Sequence, residues 1–210
     1  MSFTVIDVPQ RSPEWHAARL GRITGSRAVD LLATIKSGEA AARRNYRVEL
    51  VLERLTGRCQ ERAFQNQVMA DGIAREADAA MLYEALTGRL LRSTGFLRHD
   101  ELMAGCSLDG DVGGFEGIVE AKCPIAATHL TYLNTGIIPH EYFKQIIHNL
   151  WVSGAAWCDW LSYHPEFPEP LRAKLVRVPR DEAVIHAYET AARVFLAEVD
   201  AELEALKALC

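Results

Sequence analysis

The chain has 210 residues, the size of one ordinary domain, and 49% of them are hydrophobic, enough to fill a core and too many for a disordered chain. No window approaches the ~18 apolar residues of a membrane span, and the opening Met-Ser-Phe-Thr-Val-Ile-Asp lacks a basic-then-apolar leader, so a cytoplasmic protein with no membrane contact is expected. The net charge of −5 argues against a general nucleic-acid coat protein, yet Arg11 to Arg62 carries 11 Lys/Arg against 6 Asp/Glu while the remainder carries 12 against 22. Such a split fits a protein that meets phosphate through one surface, and fits a solvated charge run equally well.

Five cysteines (59, 106, 123, 158 and 210) are odd in number and widely scattered, with no C-x-x-C pair. They indicate neither a disulfide framework nor a zinc or iron–sulfur site, and read as reduced, mostly buried thiols.

In chain order, Val5 to Val8 reads as a short strand or extended lead-in. Ser12-Pro13-Glu14-Trp15 then opens a helix, with Ser as N-cap, Pro at the first helical position and an acid in the first turn; it stops near Gly21. Trp15, Ala18 and Arg19 share its face. From Ile23 to Leu32, Thr24 and Ser26 open a second helix, either as plain caps or as an anion site at a helix N-terminus. Lys36 to Glu39 is a loop, and a helix from Ala41 to Leu55 ends at Gly57 with Val48, Val51, Leu52 and Leu55 as its apolar stripe. Asp71-Gly72 interrupts before a further helix through Leu86, closed by Gly88. Glu76, Ala80 and Tyr83 lie on one face of it, so Glu76 points inward or, as most surface glutamates do, to water. Leu90 to Arg92, Phe96 to Arg98 and Leu102 to Cys106 are short strand candidates.

The stretch Cys106-Ser107-Leu108-Asp109-Gly110-Asp111, followed by Val119-Glu120-Ala121-Lys122-Cys123-Pro124, carries the most chemistry. If Ile118 to Cys123 is a strand, Glu120 and Lys122 project side by side while Val119, Ala121 and Cys123 face a core. Gly110, Gly113, Gly114 and Gly117 supply turns, so the chain folds back and brings Asp109 beside Glu120. Two carboxylates held close repel unless a cation joins them. Carboxylate oxygens completed by water and phosphate are what Mg²⁺ takes, and Lys122 could orient or deprotonate an attacking water and offset charge on a phosphorane-like transition state. The same pattern also occurs on solvated sheet faces.

Thr128 to Leu133 reads as a short helix. Pro139 opens another that runs to about Val152 and ends at Gly154, with Phe143, Ile146, Ile147 and Leu150 apolar and Tyr142, Gln145 and Asn149 as a polar stripe of the kind that usually faces water. Trp157 to Tyr163 and Leu175 to Val178 read as strands. A final helix from about Glu182 to Leu206 buries Ile185, Tyr188, Ala192, Phe195 and Val199. The fold class expected is α/β (α+β), one domain over residues 1–210.

Five runs in register resemble one family: Glu14-Trp15-His16-Ala17-Ala18-Arg19-Leu20-Gly21-Arg22-Ile23-Thr24-Gly25-Ser26; Gly72 with Glu76; Cys106-Ser107-Leu108-Asp109-Gly110; Glu120-Ala121-Lys122-Cys123-Pro124; and Tyr142-Phe143-Lys144-Gln145 leading to Leu150-Trp151-Val152. Together they look like the phage lambda exonuclease and YqaJ-like viral recombinase family, within the restriction-endonuclease-like superfamily. The resemblance implies a mixed central sheet flanked by helices. It further implies that Asp109, Glu120, Glu76 and the Ala121 carbonyl hold Mg²⁺ (two ions, with Mn²⁺ as substitute), that Lys122 activates or positions the water, and that Gln145 lies near the scissile phosphate. Arg19, Ser26 and Ser107 match positions that hold a terminal 5′-phosphate, Thr24 lies in the same run, Trp15 would support that pocket, and His16 reads as structural.

The activity implied is 5′-to-3′ hydrolysis of duplex DNA from 5′-phosphorylated ends, releasing 5′-mononucleotides and leaving a 3′ tail for recombination. A homotrimer and a single-strand annealing partner are implied with it, in a bacterial or phage-infected cell. Asp71 departs from the aromatic residue that the lambda enzyme carries at that position, the C-terminal end reads as trimmed, and the chain beyond Leu175 has no matching motif. The alternatives are a different nuclease on the same core, such as an endonuclease, and a catalytically silent DNA-end-binding scaffold; the intact Asp109, Glu120 and Lys122 set argues against the scaffold.

Overall fold

The computed structural model describes residues 3–60 and 67–209, with residues 67–74 as backbone only. In chain order the elements are β1 (Phe3–Ile6), α1 (Pro13–Arg19), a 3-10 turn (Gly25–Arg27), α2 (Ala28–Leu31), α3 (Ala41–Thr56), α4 (Gln67–Thr87), β2 (Phe96–His99), β3 (Gly105–Cys106), β4 (Gly110–Val112) and β5 (Gly117–Lys122). They continue with α5 (Ala126–Thr135), α6 (His140–Ser153), β6 (Trp157–Tyr163), β7 (Ala173–Pro179) and α7 (Glu182–Lys207).

The main sheet has the order β4-β5-β6-β7, with β5 and β6 parallel and the outer pairs antiparallel; β1-β2-β3 form a smaller antiparallel sheet. A parallel pair needs a crossover, and α5 and α6 supply it. The result is the expected mixed sheet flanked by helices. Alternation along β5 and β6 splits the core. Ile118, Cys158 and Trp160 join the cluster under α3, α6 and α7, whereas Val119, Trp157, Leu161 and Tyr163 join Ala79 and Tyr83 of α4 on the opposite face. Helix α6 is buried continuously from Ile146 to Ser153 and serves as the spine of the larger cluster.

Polar contacts fasten the outer helices. The Tyr83 hydroxyl donates to Asp159 at 2.8 Å while Arg177 chelates the same buried carboxylate through two 2.7 Å bonds, fixing α4 over β6. Across the other face α3 is tied to α7 by Arg43 to Glu198, Arg47 to Glu202 and Arg54 to Asp200.

Several expectations are corrected. Helix α4 runs through Asp71-Gly72 without interruption. The lead-in strand is Phe3–Ile6 rather than Val5 to Val8, α5 is longer than Thr128 to Leu133, and the segment from Leu90 to Arg92 reduces to a single bridge, Arg92 to Asp111. The second helix begins as a 3-10 turn followed by the four-residue α2, and Thr24 makes no side-chain capping bond. Few aligned peptides mean a weak dipole, so a helix-end anion site does not rest on α2. On α3 the expected stripe is largely outside: Val48, Leu52 and Leu55 are exposed and Tyr46, Leu50, Val51 and Glu53 are buried. The reason is polar. The Tyr46 hydroxyl accepts the Thr24 N–H at 3.1 Å and Glu53 accepts the Gly21 N–H at 2.7 Å, so the inward face is the one that satisfies the backbone after α1. Phe143 is likewise exposed on α6, and Asn149 is buried.

Gly117 opens β5 directly beneath Trp157, where a Cβ would lie 2.1 Å from the indole ring. Gly117→Ala is therefore expected to lower stability by about 1–3 kcal/mol through overpacking. A urea unfolding curve would check this, and an unchanged midpoint would show that the indole yields.

Candidate active site

Strand β5 places Glu120 beneath α6. The carboxylate is only 2% exposed, a costly position for a charge unless it is bonded. Both oxygens are held. Oε1 accepts from Lys122 Nζ at 2.5 Å, two residues along on the same face, and Oε2 accepts from Asn149 Nδ2 of α6 at 3.0 Å. Burial pushes the Glu120 carboxyl up to about 7, against the pull of Lys122, and the nearby Asp109 charge adds to the rise. Burial acts to depress the Lys122 ammonium, but the Glu120 and Asp109 charges outweigh it and hold its pKa above the ordinary value, so Lys122 stays charged. Its ammonium also lies 5.0 Å from the ring centroid of Tyr142 on α6.

The hairpin supplies the second carboxylate. Gly110 pairs with Val119, and Asp109, one residue before the strand, accepts the Ala121 N–H on Oδ2 at 2.7 Å. Asp109 is exposed where Glu120 is buried, so the two flank the edge of β5 from wet and dry sides. Immediately upstream, Ser107 accepts from Trp15 Nε1 at 2.8 Å, and the Arg19 guanidinium stacks 4.2 Å from the Trp15 ring centroid. One indole on α1 thereby brings Arg19 and Ser107 together, two residues from Asp109.

Ser26 sits exposed in the 3-10 turn, and that turn packs on α6 at its tightest point, Gly25. A Cβ on Gly25 would lie 2.4 Å from Asn149 Oδ1 and 3.3 Å from Gln145 Cγ, so only a glycine lets the turn that carries Ser26 lie this close to α6. Thr24 is buried in the floor behind it.

Glu76 enters from α4. It lines a cleft of about 310 Å³ together with Ala80, Tyr83, Asp109 and Ala121. Its carboxylate is taken by Arg11, whose Nη2 lies 2.7 and 2.9 Å from the two oxygens. Sequence reasoning missed Arg11, which has no motif, and left Asn149 without a role although its i+4 spacing from Gln145 marked the shared face.

Among the described residues no group of three His, Cys, Asp or Glu is drawn together tightly enough to hold a metal by itself. Asp109 and Glu120 nevertheless make a hard-oxygen pair whose mutual repulsion a divalent cation would relieve. Magnesium keeps several waters and takes one or two carboxylates, so the donor set fits such an ion.

The profile of the YqaJ-like viral recombinase domain matches residues 14–156. An alkaline exonuclease from Laribacter hongkongensis, LHK-Exo, is similar at 37% identity, covering 94% of this chain and 97% of that one with a TM-score of 0.85. The same enzyme in complex with dAMP superposes with a TM-score of 0.86. A phage-related exonuclease from Haemophilus somnus 129PT, 15% identical with a TM-score of 0.69 over 88% of this chain and 96% of that one, shares the fold. No curated protein matches the chain.

Because a carboxyl that burial raises above its ordinary range would have to shed its proton to take a cation, any Mg²⁺ affinity at Glu120 is expected to rise with pH through its titration and to level off above it. Calorimetric titrations at several pH values would check the slope, and a flat profile would show a Glu120 that is ionised throughout.

Proposed function

The chain belongs to the YqaJ-like viral recombinase family, and from that premise we propose that it is a Mg²⁺-dependent 5′-to-3′ exonuclease, one nuclease domain over residues 1–210, acting on 5′-phosphorylated ends of duplex DNA. The observation that carries the reading is the β4–β5 hairpin, which sets Asp109 against Ala121 beside the buried Glu120–Lys122 pair. Asp109, Glu120, Glu76 and the Ala121 carbonyl would hold the ions, two Mg²⁺ or Mn²⁺ in their place. Bound there, a divalent ion supplies positive charge to the scissile phosphate and lowers the pKa of a coordinated water.

The chain's own residues do the rest. Lys122, held charged, donates hydrogen bonds that orient the attacking water and offset the charge growing on the phosphoryl oxygens. Water adds to phosphorus as the bond to the 3′ oxygen of the terminal nucleotide breaks. That nucleotide leaves with its 5′-phosphate and a 3′-hydroxyl, and the next one acquires a new 5′-phosphate. Arg19, Ser107 and Ser26, arranged by Trp15 and Gly25, would bind the terminal phosphate and so fix which bond meets the carboxylates. Gln145 would orient the scissile group.

Two features of the relatives support this reading. LHK-Exo binds dAMP, a nucleoside monophosphate of the class such hydrolysis releases. It is described as an alkaline exonuclease, the class of activity proposed here. The reading extends to a homotrimer encircling the duplex, whose mass light scattering would report as three chains or fewer, and to a single-strand annealing protein that receives the 3′ tail.

One assay tests the activity. A linear duplex with 5′-phosphates should release mononucleotides in Mg²⁺ while a closed circle resists, and cleavage of the circle would make the protein an endonuclease. Arg19→Ala should abolish the preference for 5′-phosphate over 5′-hydroxyl ends. Lys122→Ala should lose on the order of 10²–10³-fold in turnover while still binding duplex; wild-type turnover would remove Lys122 from the chemistry, and inertness of the wild-type protein would leave a DNA-end scaffold.

A further inference from the structure

Arg11 is anomalous in two respects. Its φ of 70° places an arginine in the left-handed region that favours glycine. Its guanidinium lies across the cleft mouth as both partner and cover of Glu76, with each side chain 45% exposed. The neighbour Gln10 pins the loop by donating to the carbonyls of Thr94 (3.2 Å) and Leu108 (2.9 Å), so Arg11 is aimed at Glu76 by a fixed backbone next to Asp109.

We propose that Arg11 is a resident competitor cation: its guanidinium occupies the Glu76 carboxylate, holds it at the cleft in the absence of metal, and must be displaced before Glu76 joins the ion-binding set. The inference rests on the metal-centre reading above. The physical ground is that a carboxylate whose two oxygens both accept from Nη2 of one guanidinium cannot also hold a divalent ion at full strength. The ion and the guanidinium are thus linked, and removing one must strengthen the other. Arg11 is a positioning residue in this account, setting the divalent concentration at which the site fills.

Arg11→Gly is the informative variant, since glycine adopts the left-handed backbone without strain and the fold is kept. Calorimetry with Mn²⁺ alone, without DNA, should show about two- to fivefold tighter binding by Arg11→Gly at low salt, the range expected for a half-exposed ion pair. The gap should shrink in about 0.5 M salt as the pair is screened. Arg11→Lys, which keeps the charge, should stay closer to wild type than to Arg11→Gly. In a Glu76→Gln background Arg11→Gly should change nothing. Equal Mn²⁺ affinity in wild type and Arg11→Gly, or weaker binding by the variant, would overturn the competitor role while leaving the metal centre intact. Binding of Mn²⁺ by neither protein would overturn the metal-centre reading and this inference together.

Discussion

A carboxylate buried to 2% exposure sets the terms for the rest of the molecule. An ionised Glu120 without partners would cost several kcal/mol, so β5 must carry Lys122 two residues on, and α6 must arrive with Asn149 at the right height. That in turn fixes α6 along its buried length from Ile146 to Ser153, and the 3-10 turn can lie against it only because residue 25 has no side chain. The low-dielectric setting that makes Glu120 expensive works against the Lys122 ammonium too, and it is the neighbouring Glu120 and Asp109 charges, strengthened by that setting, that keep Lys122 protonated. Stability and chemistry meet in one residue pair.

The surrounding groups divide by layer. The α6 side of the sheet supplies Glu120, Lys122, Asn149 and Gln145; the α4 side supplies Glu76 and the cleft wall; Asp109 stands at the edge between them. Trp15 has a different task, because its indole N–H and its ring face engage Ser107 and Arg19 at once. A single aromatic thus couples α1 to the segment leading into β4. Second-side anchoring comes from the buried Asp159, whose bonds to Tyr83 and Arg177 keep α4 seated and hence Glu76 over the cleft.

Periodicity made much of this legible in the sequence. The i, i+2 alternation of β5 separated Glu120 and Lys122 from Val119, and the 3.6 period of α7 marked Ile185, Tyr188, Ala192, Phe195 and Val199, all buried. Where hydrophobicity and hydrogen bonding disagreed, periodicity misled. Helix α3 turns Tyr46 and Glu53 inward to serve backbone N–H groups contributed by Gly21 and Thr24, partners no local window contains, and Val48, Leu52 and Leu55 face out. The polar stripe on α6 reads as wet from composition alone; it is Glu120, 29 residues away in sequence, that makes Asn149 a buried donor. Arg11 was illegible for a related reason, since an arginine in a left-handed turn leaves no compositional trace.

The arginines of the basic segment have a last consequence. Arg11, Arg27, Arg43, Arg47 and Arg54 are each committed to carboxylates, three of them to the acidic face of α7. A charge matched by a neighbouring carboxylate attracts fewer anions of its own. Under the proposed function, binding to DNA would liberate fewer counterions than the arginine content suggests, and the logarithmic dependence of affinity on salt, about −0.9 per phosphate neutralised, would count mainly the basic side chains outside these pairs. The N-terminal third is basic in composition, but much of its charge is matched by carboxylates, so under the proposed function a chain of net charge −5 would meet a polyanion through a few directed contacts.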